Sequence, residues 1–223
     1  MKNKQYIFLT GVPGSRWGRI ENMLYKTCDI VDTSCKLPYH QDLPSHGTQH
    51  IYTFWGPYHQ HGEGFDRLDL LGPERVMAEI DTAYDDDDDR PVRIIRCHWF
   101  SYQLDWIAEN MPWVDILMVL REPEMSYRWW HESGGWDISY PNYTWYGSDT
   151  VLRRQIDVET KLMTKFIREQ GLRIDFNLSQ PEKWLETHMP EVMYEINSNI
   201  DINPLDNTLW PVLYKGSNNE SIN

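Results

Sequence analysis

The residues with chemical potential in this chain are a glycine-rich loop, one histidine and a second arginine. Tyr6, Ile7, Phe8 and Leu9 form a short apolar run, and Ile20, Met23 and Leu24 resume apolar character at helical spacing. Between them lie Gly11, Val12, Pro13, Gly14, Ser15, Arg16, Trp17, Gly18 and Arg19. Strand, glycine turn and helix start is a layout that cradles an anion. Backbone N–H groups and the positive end of the helix dipole converge on one spot, and Arg16 and Arg19 add full charges. Arg96, Cys97 and His98 close the run VRIIR, and Arg121 closes the run VDILMVL. Each has a plainer reading beside it. The loop could be a tight turn with two solvated arginines. His98 beside Trp99 could be a core histidine bonded to backbone, Arg96 could point to solvent, and Arg121 could pair with Glu122 or Glu124.

The elements needed to position these groups read as an alternation of strands and helices. Strands are expected at 6–9, 29–32, Val92–Arg96, Val114–Leu120 and 173–176. Helices are expected from Ile20, from Pro73 to about Tyr84, across 102–110, after Glu122-Pro123-Glu124, from Ser148 or Asp149 to about Gln170, and across 181–188. Such an alternation predicts an α/β domain whose parallel sheet is flanked by helices on both faces. The glycine loop, His98 and Arg121 then share the carboxyl edge of the sheet, where ligands of such sheets bind. The segment of about 33–66 reads as an irregular insertion, rich in His and aromatic residues. It and the aromatic stretch 136–146 are expected to line a substrate cleft. The end of the tail, about 215–223, is a candidate for disorder.

Composition narrows the function classes. The chain has 223 residues, 40% hydrophobic and 25% charged, as a single globular domain has. A formal charge of −13 argues against a nucleic-acid binder. The 3 cysteines have no metal-like spacing and suggest reduced thiols in a cytoplasmic protein. His40, His46, His50, His59 and His61 match no metal motif, so no metal is expected. The aspartate run 85–89 lacks the alternation of a calcium loop and reads as a solvated connection. No run approaches the roughly 20 apolar residues of a membrane span. The loop also lacks the Gly-Lys-Ser/Thr of a nucleotide-hydrolysing P-loop.

In three places, in order, the sequence resembles the sulfotransferases that use 3′-phosphoadenosine 5′-phosphosulfate. Val12-Pro13-Gly14-Ser15-Arg16-Trp17 is similar to the family's 5′-phosphosulfate loop, with Gly14 and Trp17 matching and Ser15 at a Thr position. Arg96-Cys97-His98 resembles its Lys-Thr-His, whose histidine is the catalytic base. Arg121 followed by Ser126-Tyr127 resembles its 3′-phosphate site. The resemblance spans roughly residues 5–135. It implies a P-loop-like sulfotransferase fold over one domain, 1–223. It implies sulfonate transfer to an acceptor hydroxyl, a small molecule or a carbohydrate, without a metal. His98 would be the base, and Arg16, Arg19 or Arg96 would stabilise the developing charge. Pro13, Gly14, Ser15, Arg16, Trp17, Gly18, Arg19, Arg121 and Ser126 would hold the nucleotide, with Trp17 stacking on adenine and Arg121 pairing with the 3′-phosphate. The family's loop lysine falls on Val12 here. Arg121 and Ser126 also stand closer together than is usual, and Lys215-Gly216 only faintly echoes the family's C-terminal loop over the cofactor. Two alternatives stay open. One is a non-catalytic protein that binds a nucleotide or a partner on the same scaffold. The other is a P-loop nucleotide kinase with a degenerate loop.

Overall fold

The computed structural model describes residues 4–27, 30–35, 54–56, 61–85, 87–137, 144–176, 181–189 and 208–217. Strand β1 (Gln5–Gly11) is buried along its whole length. It pairs in parallel with β2 (Val92–Arg96) on one side and β3 (Val114–Leu120) on the other. Strand β4 (Trp210–Tyr214) adds to the outer edge of β3 in antiparallel sense, with Leu120 opposite Trp210 and Ile116 opposite Tyr214. The order is β2-β1-β3-β4. The sheet is therefore mixed, three parallel strands and one antiparallel edge, rather than wholly parallel.

Both faces of the sheet are covered. Alternate β1 side chains face opposite layers, as strand geometry requires. On one face Tyr6, Phe8, Ile116 and Met118 pack with α3 (Pro73–Thr82), α4 (Leu104–Asn110) and α6 (Asp149–Glu169), through residues such as Val76, Ile80, Ile107, Ile156 and Met163. On the other face Ile7, Leu9, Leu117 and Val119 pack with Ile20 and Leu24 of α1 (Trp17–Thr27) and with Trp184 and Leu185 of α7 (Pro181–His188). The remaining described helices are α2 (Leu68–Leu71), α5 (Pro123–Glu132) and 3-10 turns at His98–Tyr102, Gly135–Asp137 and Thr144–Tyr146.

Local signals place most helix ends. Pro73 and Pro123 occupy the first turns of α3 and α5. The Glu122 carboxylate caps α5 by accepting from Met125 N at 2.8 Å. Ser148 caps α6, and Gly171 follows its end at φ +66°.

Two expected strands are not seen among the described residues. Over 173–176 the chain is irregular, with Phe176 60% exposed. Leu172 and Ile174 only rest against the core, which produces an alternation without a ladder. In 29–32 a single parallel bridge joins Val31 to Val92, and Asp29 lies outside the described residues. The strand that closes the sheet instead lies in the polar tail, where Pro211 fits an edge position.

Of the 33–66 insertion, residues 33–35, 54–56 and 61–66 are described. Phe54 bridges in parallel to Arg96, and Trp55 N donates to Arg96 O at 2.9 Å. His40, His46, His50 and His59 lie outside the described residues, as do 138–143 and 218–223. Among the described residues no helix is long and apolar enough to cross a membrane.

Candidate functional site

The loop Val12–Arg16 connects the carboxyl end of β1 to α1, and its shape depends on two left-handed residues. Gly14 has φ +74°, and a Cβ there would lie 1.9 Å from Ser126 O. Only glycine allows the loop to approach α5 this closely. Arg16 has φ +60°, unusual for a residue with a side chain. Its guanidinium lies 4.6 Å from the Trp129 ring centroid, a cation–π contact that helps hold the turn. Ser15 N donates to Val12 O at 3.0 Å, and Arg19 N donates to Arg16 O at 2.7 Å.

His98 and Arg121 each grip this loop from a neighbouring strand end. His98 Nδ1 lies 2.9 Å from Gly11 O. A carbonyl only accepts, so Nδ1 carries the proton and Nε2 holds the lone pair of the neutral ring. Arg121 Nη1 donates to Gly14 O at 3.1 Å, and its Nε donates to Thr208 Oγ1 at 2.9 Å. The three motifs thus meet at one edge of the sheet, joined by hydrogen bonds to the last carbonyl of β1 and to one loop carbonyl.

The electrostatics around the loop suit an anion. The first turn of α1 has no acidic residue, whereas α2, α3, α4, α5 and α6 each have one. Arg16 and Arg19 stand there instead. Ser15 Oγ and Ser126 Oγ, in residues 0% exposed, meet no hydrogen-bond partner among the described residues. Buried hydroxyls are rarely left so, and both suit the oxygens of a bound oxyanion. Pro13 and Gly18 are buried beside them, and Arg19 is half-buried. Among the described residues no group of His, Cys, Asp and Glu is placed to hold a metal ion.

Compared with known proteins, the chain matches no family model, no curated protein and no solved structure.

Three expected roles meet a different arrangement. The Trp17 ring is 4% exposed and packs against His98 at 4.4 Å and Phe54 at 5.4 Å between centroids. It packs beside the histidine and is already buried by the chain's own rings. Arg96 ends β2, but its Nη1 forms an ion pair with Glu21 Oε2, the side chains 1% and 3% exposed. Its charge is therefore matched within the protein while Glu21 is ionised. Lys215 and Gly216 follow β4 away from the loop. Gly216 N donates to Asp115 Oδ1 at 2.8 Å, near the start of β3 and so at the opposite edge of the sheet.

Glu21 and Thr208 are the neighbours that motif reading missed. Glu21 had a signal: with Trp17, Ile20 and Leu24 it falls on the apolar face of α1. Burial pushes its carboxyl up to about 7, with Arg96 pulling the other way. Thr208 follows a polar stretch and had none. Cys97 is wholly buried, and that burial raises its thiol well above the ordinary value.

Proposed function

We propose that this chain transfers a sulfonate from 3′-phosphoadenosine 5′-phosphosulfate to a hydroxyl on a small molecule or carbohydrate. One observation carries the reading: His98 and Arg121, from two different strand ends, hydrogen-bond the last carbonyl of β1, Gly11 O, and a carbonyl of the adjoining glycine loop, Gly14 O. When bound, the nucleotide supplies an activated sulfonate and leaves as the 3′,5′-bisphosphate. The loop amides, the first turn of α1, Arg16 and Arg19 hold the 5′-phosphate side. The buried hydroxyls of Ser15 and Ser126 donate to its oxygens. Arg121 fixes the loop through Gly14 O and brings positive charge for the 3′-phosphate, which selects against ATP.

His98 Nε2 takes the proton that the acceptor hydroxyl gives up. The bond from Nδ1–H to Gly11 O holds the tautomer that keeps Nε2 basic, then stabilises the imidazolium that forms. Positive charge at the loop offsets negative charge developing on the leaving side. Trp17 has no part in adenine stacking in this reading.

A second reading is favoured by the Glu21–Arg96 ion pair. With Val12 at the lysine position and Arg96 already matched, the loop has fewer cations for catalysis than for binding. A protein that binds the nucleotide without turnover fits that balance.

The test is calorimetric titration with 3′-phosphoadenosine 5′-phosphate, beside ATP with magnesium, on the wild type and Arg121→Ala. The expected outcome is bisphosphate binding weakened at least about tenfold, roughly 1.4 kcal/mol, in the variant. An acceptor screen with labelled sulfonate donor follows, with His98→Ala binding normally but inactive. Binding without turnover in any acceptor selects the second reading. Preference for ATP with magnesium overturns both in favour of a kinase.

A further inference from the structure

The buried Glu21–Arg96 pair has no role in the transfer steps above, yet it is costly to build. Desolvating two charges is rarely a net gain over apolar residues of similar volume, so stability alone gives no account of it. Its surroundings do. The Arg96 guanidinium lies 3.8 Å from the Phe54 ring centroid and 5.6 Å from that of Trp17. The same two rings enclose His98. Trp17 lies against the imidazole at 4.4 Å, and Phe54 stacks on it at 5.7 Å with 7° between planes. Phe54 is itself tied to β2 by its bridge to Arg96. Imidazole, two aromatic rings, guanidinium and carboxylate form one continuous packed series, from the glycine loop to the second turn of α1.

We propose that Glu21 and Arg96 are positioning residues for His98. Glu21 fixes the guanidinium plane, the guanidinium fixes Phe54 and Trp17, and the rings keep the imidazole turned so that Nδ1 meets Gly11 O. The pair also matters through its charge. While Glu21 is ionised it balances Arg96, and the cation does not oppose protonation of His98. Without that balance the guanidinium next to the histidine's stack loses its buried counter-charge. The importance of this arrangement for turnover rests on the sulfonate-transfer reading. The arrangement itself does not.

The test is NMR titration of the His98 ring, with its tautomer read from ring-nitrogen shifts, in the wild type and Glu21→Gln. The Gln side chain keeps the shape and loses the charge. The expected result is a His98 protonation equilibrium weakened about tenfold in Glu21→Gln, with the Nδ1–H tautomer no longer dominant. Turnover falls by at least tenfold while bisphosphate affinity stays within about twofold, a kcat effect without a KM effect. If Glu21→Gln fails to fold, Arg96→Lys is read in the same way. It keeps a cation for Glu21 but gives up the flat face, and the tautomer is expected to loosen. An unchanged titration and tautomer in a folded variant overturns the proposal. If the wild type neither binds the bisphosphate nor transfers sulfonate, the functional reading fails, and the titration still decides whether the pair positions His98.

Discussion

Gly14 shows how much one position can determine. It combines φ +74° with a contact that leaves no room for a Cβ, which would lie 1.9 Å from Ser126 O and 2.9 Å from Trp130 Cβ. Gly14→Ala must therefore move the loop off α5 or strain the backbone, at about 1–3 kcal/mol. The expected outcome is a lower urea midpoint together with at least tenfold weaker bisphosphate binding, read by denaturation and calorimetry. A variant with wild-type values for both would mean that the loop does not need its contact with α5. The glycine, the histidine and the strand-terminal arginine were all legible in the sequence, because each follows a recognisable strand. The partners they use were not. Motif reading places residues at strand ends but says nothing of which carbonyl a side chain will meet. It also assigned Trp17 to a ligand when the nearest flat surfaces belonged to the protein.

Among the secondary-structure elements, the amino end of the sheet is held by charge rather than by loops. Arg93 of β2, with its side chain 4% exposed, donates to Asp32 Oδ2 at 2.9 Å and to Asp81 Oδ1 at 2.7 Å. Lys4 reaches the same Asp32 oxygen at 3.3 Å, and Tyr6 Oη donates to Asp81. Asp32 is wholly enclosed. Asp32→Ala leaves a buried arginine without its best partner and is expected to cost about 3–5 kcal/mol, measured by chemical denaturation. A loss under about 1 kcal/mol would mean that Asp81 and water suffice for Arg93. The three parallel strands and the helices other than α2 were readable because caps, first-turn prolines and apolar runs are local signals; the single turn of α2 was not called. The antiparallel edge was not. Its residues, Trp210-Pro211-Val212-Leu213-Tyr214, acquire strand character only from the partner that β3 provides.

The protein taken as a whole carries buried acid in its core. Glu159 of α6 is 1% exposed, and burial pushes its carboxyl up to about 8, with Gln155 pulling it back only in part. Its Oε1 accepts from Gln155 Nε2 at 3.1 Å. Unfolded, the group loses its proton near its ordinary 4.5, while the folded protein keeps the proton. Between these values the native state binds more protons, so stability falls as pH rises. Glu21 acts in the same direction, up to about 7. Thermal unfolding is therefore expected to show a midpoint several degrees lower at about pH 8.5 than at about pH 5.5. Glu159→Gln should flatten that slope, and an unaltered slope would place the dependence elsewhere. The order of the sheet has a consequence for biosynthesis. Leu120 pairs with Trp210, so the outer edge of β3 has its N–H and C=O groups unmatched until the ribosome has passed residue 214. A hydrophobic strand edge left open for so long invites pairing between neighbouring nascent chains. Premature termination between residues 121 and 210 should thus yield insoluble product rather than a shortened working domain, and the interval between synthesis of β3 and synthesis of β4 is when a chaperone has most to protect.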